Sequence, residues 1–192
     1  MFGFWAFTSR QDYKSNVDQK IAAAGEQIRL TTSSAKDKEF TEKEKNPLKH
    51  YLGPSTYGSV DIQYPKTWSA FVTQSTDTNQ PLDGYFYPDV VPGIQSGSAF
   101  ALRLKIVNQA YDQEIKQLSA LVKNGKVKVA PFRLAKLPNI LGSRADGEIT
   151  VGQKDSKVYL PLRDKTLEVW TESDQFVDDF TKIILPNLTF SP

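Results

Sequence analysis

The sequence predicts an α+β fold in which helices pack on a largely antiparallel sheet, preceded by an N-terminal helical arm. Segments in which apolar and polar residues alternate outnumber those with helical periodicity, so strands should dominate the folded part. Several of these segments follow one another directly, which favours antiparallel pairing. Residues 10–52, in contrast, have too narrow an apolar stripe to build a core.

Composition excludes several classes of protein. The chain of 192 residues, 39% of them apolar, is long enough for one domain and an additional arm. Its formal net charge of +2 comes from interspersed acids and bases, so no nucleic-acid partner is expected. The absence of cysteine excludes disulfides, thiolate catalysis and cysteine-based metal sites. The single histidine, His50, excludes a histidine-rich zinc site within one chain.

Residues 1–9 are predicted to be the end of a membrane anchor. Six of the seven residues from Met1 to Phe7 are apolar, and Trp5 would lie in the interfacial aromatic belt. The segment is far shorter than the ~20 residues that span a bilayer, and it lacks the features of a signal peptide. We therefore expect a membrane-tethered protein. The alternative is a hydrophobic arm that docks on the domain.

Residues 10–52 are predicted to form a helical stalk and linker. Over 11–46 the apolar residues fall at spacings of four, three and four, which gives one narrow stripe: Val17, Ile21, Ala24 and Ile28. A mixed charge run follows at 36–45, and Pro47 should close the helix. Gly53-Pro54 marks the boundary with a domain at 53–192.

The domain opens with a predicted hairpin. Residues 59–64 alternate as in a strand with one buried face, and Pro65 ends that strand. Trp68, Phe71 and Val72 restart the apolar pattern after a short turn, so they are predicted to form the second strand of the hairpin.

Residues 73–97 are predicted to be a long ordered loop, because they are rich in Ser, Thr, Asn, Asp, Pro and Gly. The loop contains Tyr85, Phe86 and Tyr87. These three aromatics are candidates for binding a protein partner, since tyrosines supply contact area at interfaces. Alternatively, they close the edge of the sheet.

The remaining elements follow from the same two periodicities. In chain order they are a strand at 99–107, a helix at 112–123, strands from Val127 and over 141–151, a turn at 152–157, a strand pair at 158–162 and 166–171, a helix capped by Ser173 or Asp174 and ended by Pro186, and a short strand at 188–190. Five basic residues on different predicted strands are interpreted as ordinary outer-face charges: Arg103, Lys105, Arg133, Arg144 and Arg163.

No residue pattern specifies a reaction, a cofactor or a phosphate loop. Asp174 and Asp178 share one face of the final helix, where carboxylate oxygens suit Ca²⁺ or Mn²⁺. The alternative for both acids is complementarity to the helix dipole. The acids of 172–179 are also the basis of a third hypothesis, a carboxylate-dependent hydrolase.

The domain resembles the PsbP-like family, which comprises the extrinsic photosystem II protein and its relatives. The resemblance covers roughly residues 55–192 and depends on the opening Ile62-Gln-Tyr-Pro-Lys-Thr-Trp68 and the close Asn187-Leu-Thr-Phe190. The N-terminal aromatics followed by Arg10-Gln-Asp-Tyr-Lys14 are similar to membrane-anchored proteins of ultrasmall epibiotic bacteria. The resemblance implies an α-β-α sandwich that acts as a non-enzymatic binding or assembly module outside the cytoplasm. The resemblance assigns no metal ligand to this chain. The alternative to a membrane-tethered module is a soluble intracellular adaptor.

Overall fold

The computed structural model describes residues 3–75 and 79–191, and the side chains among them except those of 3–22 and 42. The chain divides into two compact units, Met1–Asn46 and Pro47–Pro192. Of the predicted anchor segment at 1–9, the first two residues lie outside the described residues. The other seven belong to a helix.

The first unit is a single helix, α1, which runs from Gly3 to Glu44. It confirms the predicted helical arm, and at 1.5 Å per residue it is about 60 Å long. Every described side chain between residues 23 and 44 is exposed, and i, i+3 and i, i+4 ion pairs such as Lys43–Glu39 support a helix that is polar on all sides. No helix among the described residues combines the length and apolarity needed to cross a membrane.

Nine strands are found among the described residues of the second unit, and all their pairings are antiparallel. The strands are β1 (Lys49–Leu52), β2 (Asp61–Tyr64), β3 (Trp68–Gln74), β4 (Leu82–Pro88), β5 (Leu102–Val107), β6 (Val127–Leu134), β7 (Leu137–Thr150), β8 (Gln153–Leu162) and β9 (Lys165–Thr171). Strands β1 and β2 form a small sheet. The other seven form the main sheet in the order β3-β4-β5-β9-β8-β7-β6.

Helices cover both faces of the main sheet, which confirms the predicted α+β sandwich. Helices α2 (Tyr111–Gln117) and α3 (Ser119–Lys123) pack on one face through a small cluster that includes Leu118 and Tyr159. The opposite face carries the main core, where β1, β2 and a C-terminal helical segment pack. Strand β5 shows the alternation behind this arrangement, since Leu102, Leu104 and Ile106 are fully buried in the main core.

The C-terminal helical segment is continuous but changes its winding. A 3₁₀ turn at Asp174–Phe176 leads into α-helix at Val177–Asp179, π-helix at Phe180–Ile184 and α-helix again at Leu185–Asn187. Ser173 caps it as predicted, because the Gln175 N–H donates to the Ser173 hydroxyl at 3.3 Å. The segment does not end at Pro186, and the predicted terminal strand is a single bridge between Thr189 and Asp61.

The predicted hairpin of residues 59–64 with 68–72 is wrong. Strand β2 pairs with β1, a strand that the sequence did not predict, and β3 pairs with β4. The reason is the turn at Pro65, whose carbonyl accepts from the Trp68 N–H at 2.9 Å and which leads the chain from the small sheet into the main one. Because β1 belongs to the second unit, that unit begins at Pro47 and not at Gly53.

Two loop assignments are also wrong. Residues 73–97 contain strand β4, whose short alternating run lies between Pro81 and Pro88 and is hidden by the turn-rich composition around it. The turn predicted for 152–157 is confined to Val151 and Gly152, because β7 and β8 continue to Thr150 and from Gln153. The helix at 112–123 is confirmed, with a break at Leu118.

Candidate binding surface

An apolar groove lies at the edge of the main sheet, between strand β3 and the segment that follows β4. Residues 69–71 and 90–94 line a cavity of about 420 Å³. Its walls carry three large apolar side chains that are exposed to solvent: Phe71 (47%), Val90 (77%) and Ile94 (49%). We call this cavity the edge groove.

The edge groove borders an open backbone edge, because β3 is the outermost strand of the sheet. The Ser75 N–H donates to the Pro81 carbonyl at 3.1 Å, and the Asp89 N–H donates to the Thr67 carbonyl at 2.9 Å. These two bonds bracket the β3–β4 ladder, whose register shifts nowhere between them. The residues on the β3 side of these two bonds, Thr67 and Ser75, are both odd-numbered. Every second residue of an antiparallel strand bonds to the same neighbour, so the odd-numbered residues of β3 bond to β4. The N–H and C=O groups of Ala70 and Val72 therefore face outward.

Lys49 Nζ donates to the Trp68 carbonyl at 2.8 Å, but beyond Trp68 the edge carries no charge of its own. Residues 69–75 and 90–99 contain no ionisable side chain. The opposite edge strand, β6, carries Lys128, Pro131 and Arg133, which are residue types that discourage pairing with another strand. The two edges of one sheet therefore differ in their readiness to accept an additional strand.

A row of side chains runs from the edge groove across one face of the sheet. Phe71, Tyr85, Arg103, Trp170 and Lys157 are successive partners across β3, β4, β5, β9 and β8, so they share one face of the sheet. The ring centroids of Phe71 and Tyr85 are 6.3 Å apart. The Arg103 guanidinium lies 3.7 Å from the centroid of the Tyr85 ring and 4.9 Å from that of Trp170.

Arg103 is the centre of a largely buried ionic network. Its side chain is 11% exposed and pairs with Asp83 at 2.8 Å and with Glu172 at 3.0 Å. Glu172 also accepts from the Phe100 N–H at 2.9 Å and from the Trp170 indole at 3.2 Å. The prediction that Arg103 is an ordinary outer-face charge is wrong, because its partners become neighbours only through the strand order.

A second ion pair continues the same face. Lys157 pairs with Glu168 at 2.8 Å, with side-chain exposures of 14% and 6%, and its ammonium lies 4.3 Å from the centroid of the Trp170 ring. Glu114 of α2 lies near this pair, and burial, together with the charge of Glu168, raises the pKa of Glu114. These buried charges are engaged in holding the sheet face together.

The three aromatics predicted to bind a partner lie in strand β4. Tyr85 is 7% exposed and Phe86 is fully buried, while Tyr87 is half-buried and packs against Phe176 with centroids 5.9 Å apart. The structure therefore places them in a packed inner strand, and neither in a surface loop nor at the edge of the sheet. Their role in partner binding stays a prediction, and of the three Tyr85 is connected to the edge groove, through Phe71.

The candidate metal residues are in different surroundings. Asp178 pairs with Lys182 at 2.9 Å on an exposed face of the C-terminal helical segment. Asp174 lines a separate cavity of about 550 Å³ with Asp155. Among the described residues, no group of three or more acidic or histidine side chains is placed to hold a metal ion.

Asp155 is a buried acid of that second cavity. It is 5% exposed, one carboxylate oxygen accepts from the Thr150 N–H at 3.2 Å, and the other is buried without a hydrogen bond among the described residues. Burial raises the pKa of Asp155. His50, the other titratable candidate, is exposed, with its Nδ1 3.3 Å from a carboxylate oxygen of Asp61.

Comparison with known proteins finds distant structural similarity. No protein-family profile matches the chain, and none of the curated proteins is similar to it in sequence. The solution structure of cyanobacterial PsbP (CyanoP) from Synechocystis sp. PCC 6803 aligns over 74% of this chain and 92% of its own, with a TM-score of 0.39 and 10% identity. At this TM-score the similarity supports no inference about function.

Proposed function

We propose that the chain is a non-enzymatic binding or assembly module, tethered to a membrane and exposed outside the cytoplasm, whose partner is a protein. The observation that carries the proposal is the edge groove. It gathers Phe71, Val90 and Ile94 beside an uncharged open strand, whereas the other exposed apolar side chains of the second unit are scattered. A concentrated exposed apolar patch is typical of an interaction site.

The sheet face that carries Phe71 supports the same proposal. The row that runs from Phe71 to Lys157 is held by buried ion pairs and by contacts between cations and aromatic rings, so the sheet beside the groove is already packed before any partner arrives. A preformed surface loses less conformational entropy on association than a mobile one. The buried charges pair with one another in this arrangement.

The tether is proposed from the first unit. Its helix is polar on all sides over residues 23–44, and the sequence that precedes this stretch begins with an apolar, aromatic segment. A helix of this kind suits a spacer between an attachment point and a binding domain. The apolar segment would then lie at the membrane interface.

Protease treatment of intact source cells tests location and tether together. The native full-length protein is followed with an antibody against residues 55–192, and the membrane fraction is washed with alkaline carbonate. We expect loss of the signal from intact cells and retention in washed membranes. Protection until lysis, with recovery in the soluble fraction, would overturn the proposal in favour of a soluble intracellular adaptor.

Chemical cross-linking in the source cells tests the partner. The wild-type chain should yield a discrete cross-linked protein that is lost with Ile94→Asp, which places a charge in the edge groove. Val151→Asp is the matched control, because Val151 is 90% exposed and lies outside the groove. Equal cross-linking of both variants would remove the edge groove as the binding surface.

A further inference from the structure

We infer that the edge groove binds an extended, uncharged segment of the protein partner, which adds as a new strand to the open edge of β3. This inference depends on the proposed binding function and specifies its mode. Addition of a strand to a sheet edge provides affinity through main-chain hydrogen bonds and specificity through pockets for alternate side chains. Both features are present at this edge.

The main-chain contribution comes from Ala70 and Val72. Their N–H and C=O groups face outward, whereas those of Trp68 are engaged: the Trp68 N–H donates to the Pro65 carbonyl, and its carbonyl accepts from Lys49 Nζ at 2.8 Å. The edge is therefore closed at its Trp68 end and open from Ala70 onward. A segment of about five residues, the usual length of a short strand, matches the open part.

The side-chain contribution comes from the walls of the groove. A strand laid against β3 would direct every second side chain to the face that carries Phe71, between that ring and the apolar side chains of Val90 and Ile94. Its apolar residues should therefore alternate. A charged residue in the middle of the segment would be desolvated beside residues 69–75 and 90–94, which offer no ionisable partner.

A partner segment fits this edge better than a second copy of the chain does. Residues 90–94 form one wall of the groove, so the space beside residues 69–71 is easier for a single strand to enter than for a whole domain. A second copy pairing β3 with β3 would have to bring its own wall at 90–94 into the same space. Self-association is nevertheless a measurable outcome of the test below.

Fluorescence anisotropy with a defined peptide tests the inference on the purified full-length chain. The probe is a fluorescein-labelled hexapeptide of alternating threonine and valine, and its control is the same peptide with alternate backbone nitrogens methylated on the edge that faces β3. We expect the methylated peptide to bind about tenfold more weakly or worse, since it loses two or more main-chain hydrogen bonds. Equal affinity of the two peptides would overturn the inference, and so would failure of the unmethylated peptide to bind.

The substitution Ala70→Pro tests the same hydrogen bonds by changing the protein instead of the peptide. It removes an outward donor without touching the β3–β4 ladder, and proline is tolerated on edge strands. Ala70→Thr is the matched control, because it keeps the N–H. We expect Ala70→Pro to weaken peptide binding about tenfold and Ala70→Thr to leave it within about twofold. Wild-type affinity in Ala70→Pro would contradict the inference. If Ala70→Pro does not fold, the peptide pair decides alone.

Light scattering on the same samples separates the remaining outcomes. A wild-type dimer that becomes a monomer in Ala70→Pro would overturn the peptide mode and assign the edge to a second copy. One result would support the proposed function and refute the added strand. In that result the partner cross-links to the wild-type chain and to Ala70→Pro, but not to Ile94→Asp. In that case the groove binds the partner by side-chain contacts and the added strand is refuted.

Discussion

Removing the Arg103 guanidinium should destabilise the second unit strongly, because two nearly buried carboxylates would lose their counter-charge. Arg103 is 11% exposed, and its partners Asp83 and Glu172 are 17% and 12% exposed. Breaking a buried ion pair by truncating one partner costs about 3–5 kcal/mol. We expect Arg103→Ala to lose this amount at pH 7.

Urea unfolding followed by tryptophan fluorescence measures this loss. With an m-value of about 2 kcal/mol/M, the midpoint should fall by about 1.5–2.5 M. Arg133→Ala is the control, since Arg133 is exposed and donates a single hydrogen bond to the Pro138 carbonyl at 2.9 Å. It should change stability by less than about 0.5 kcal/mol. A loss below about 1 kcal/mol in Arg103→Ala, or one equal to that of the control, would refute the buried network.

Three further substitutions probe backbone strain and buried charge. Arg163 has a φ of 56°, which glycine adopts without steric cost, so Arg163→Gly should raise the free energy of unfolding by about 0.5–1 kcal/mol. Gly147 has a φ of 139°, and a Cβ there would collide with the Lys126 carbonyl oxygen, so Gly147→Ala should cost about 2–3 kcal/mol. Burial raises the pKa of Asp155 above its unfolded value of 3.8, so the folded state binds the proton more tightly and loses stability as pH rises. Asp155→Asn should therefore raise the melting temperature at pH 7 and bring no gain below about pH 4.

Each of these three measurements has its own control. Arg163→Ala should leave stability unchanged, because alanine shares the strain of arginine at positive φ. Gly152→Ala, at a φ of 78° with open space around it, should cost less than Gly147→Ala. A pH-independent effect of Asp155→Asn would mean that the carboxylate carries no burial penalty.

The local periodicity of the sequence was sufficient for most of the elements. Strand β5, the helix at 112–123 and the final strand pair all follow from apolar spacing. In β5 the reason is that fully buried residues alternate with half-buried ones, whereas β9 is buried on both faces. The partnership of β2 with β1 was not predictable in this way. It depends on which of the two sheets the chain enters after Pro65. The spacing of apolar residues shows that a segment is a strand, but it does not show to which sheet the strand belongs.

The candidate site was less predictable than the fold. The sequence shows Phe71 and Tyr85 as aromatics of two neighbouring segments. It predicts a solvated outer face for Arg103, because the partners Asp83 and Glu172 are distant from Arg103 in sequence. The strand order β4-β5-β9 makes them neighbours. The groove at 90–94 likewise exists only because the chain folds back along β3 after Pro88.

Amide hydrogen exchange resolved by residue, measured by NMR on the full-length chain, tests the open edge most directly. In the free protein the amides of Ala70 and Val72 should exchange fast while those of Phe71 and Thr73 are protected by β4. The hexapeptide should then slow exchange at Ala70 and Val72 selectively. If Ala70 and Val72 are as protected as Phe71 in the free chain, the edge is already covered and no strand adds to it.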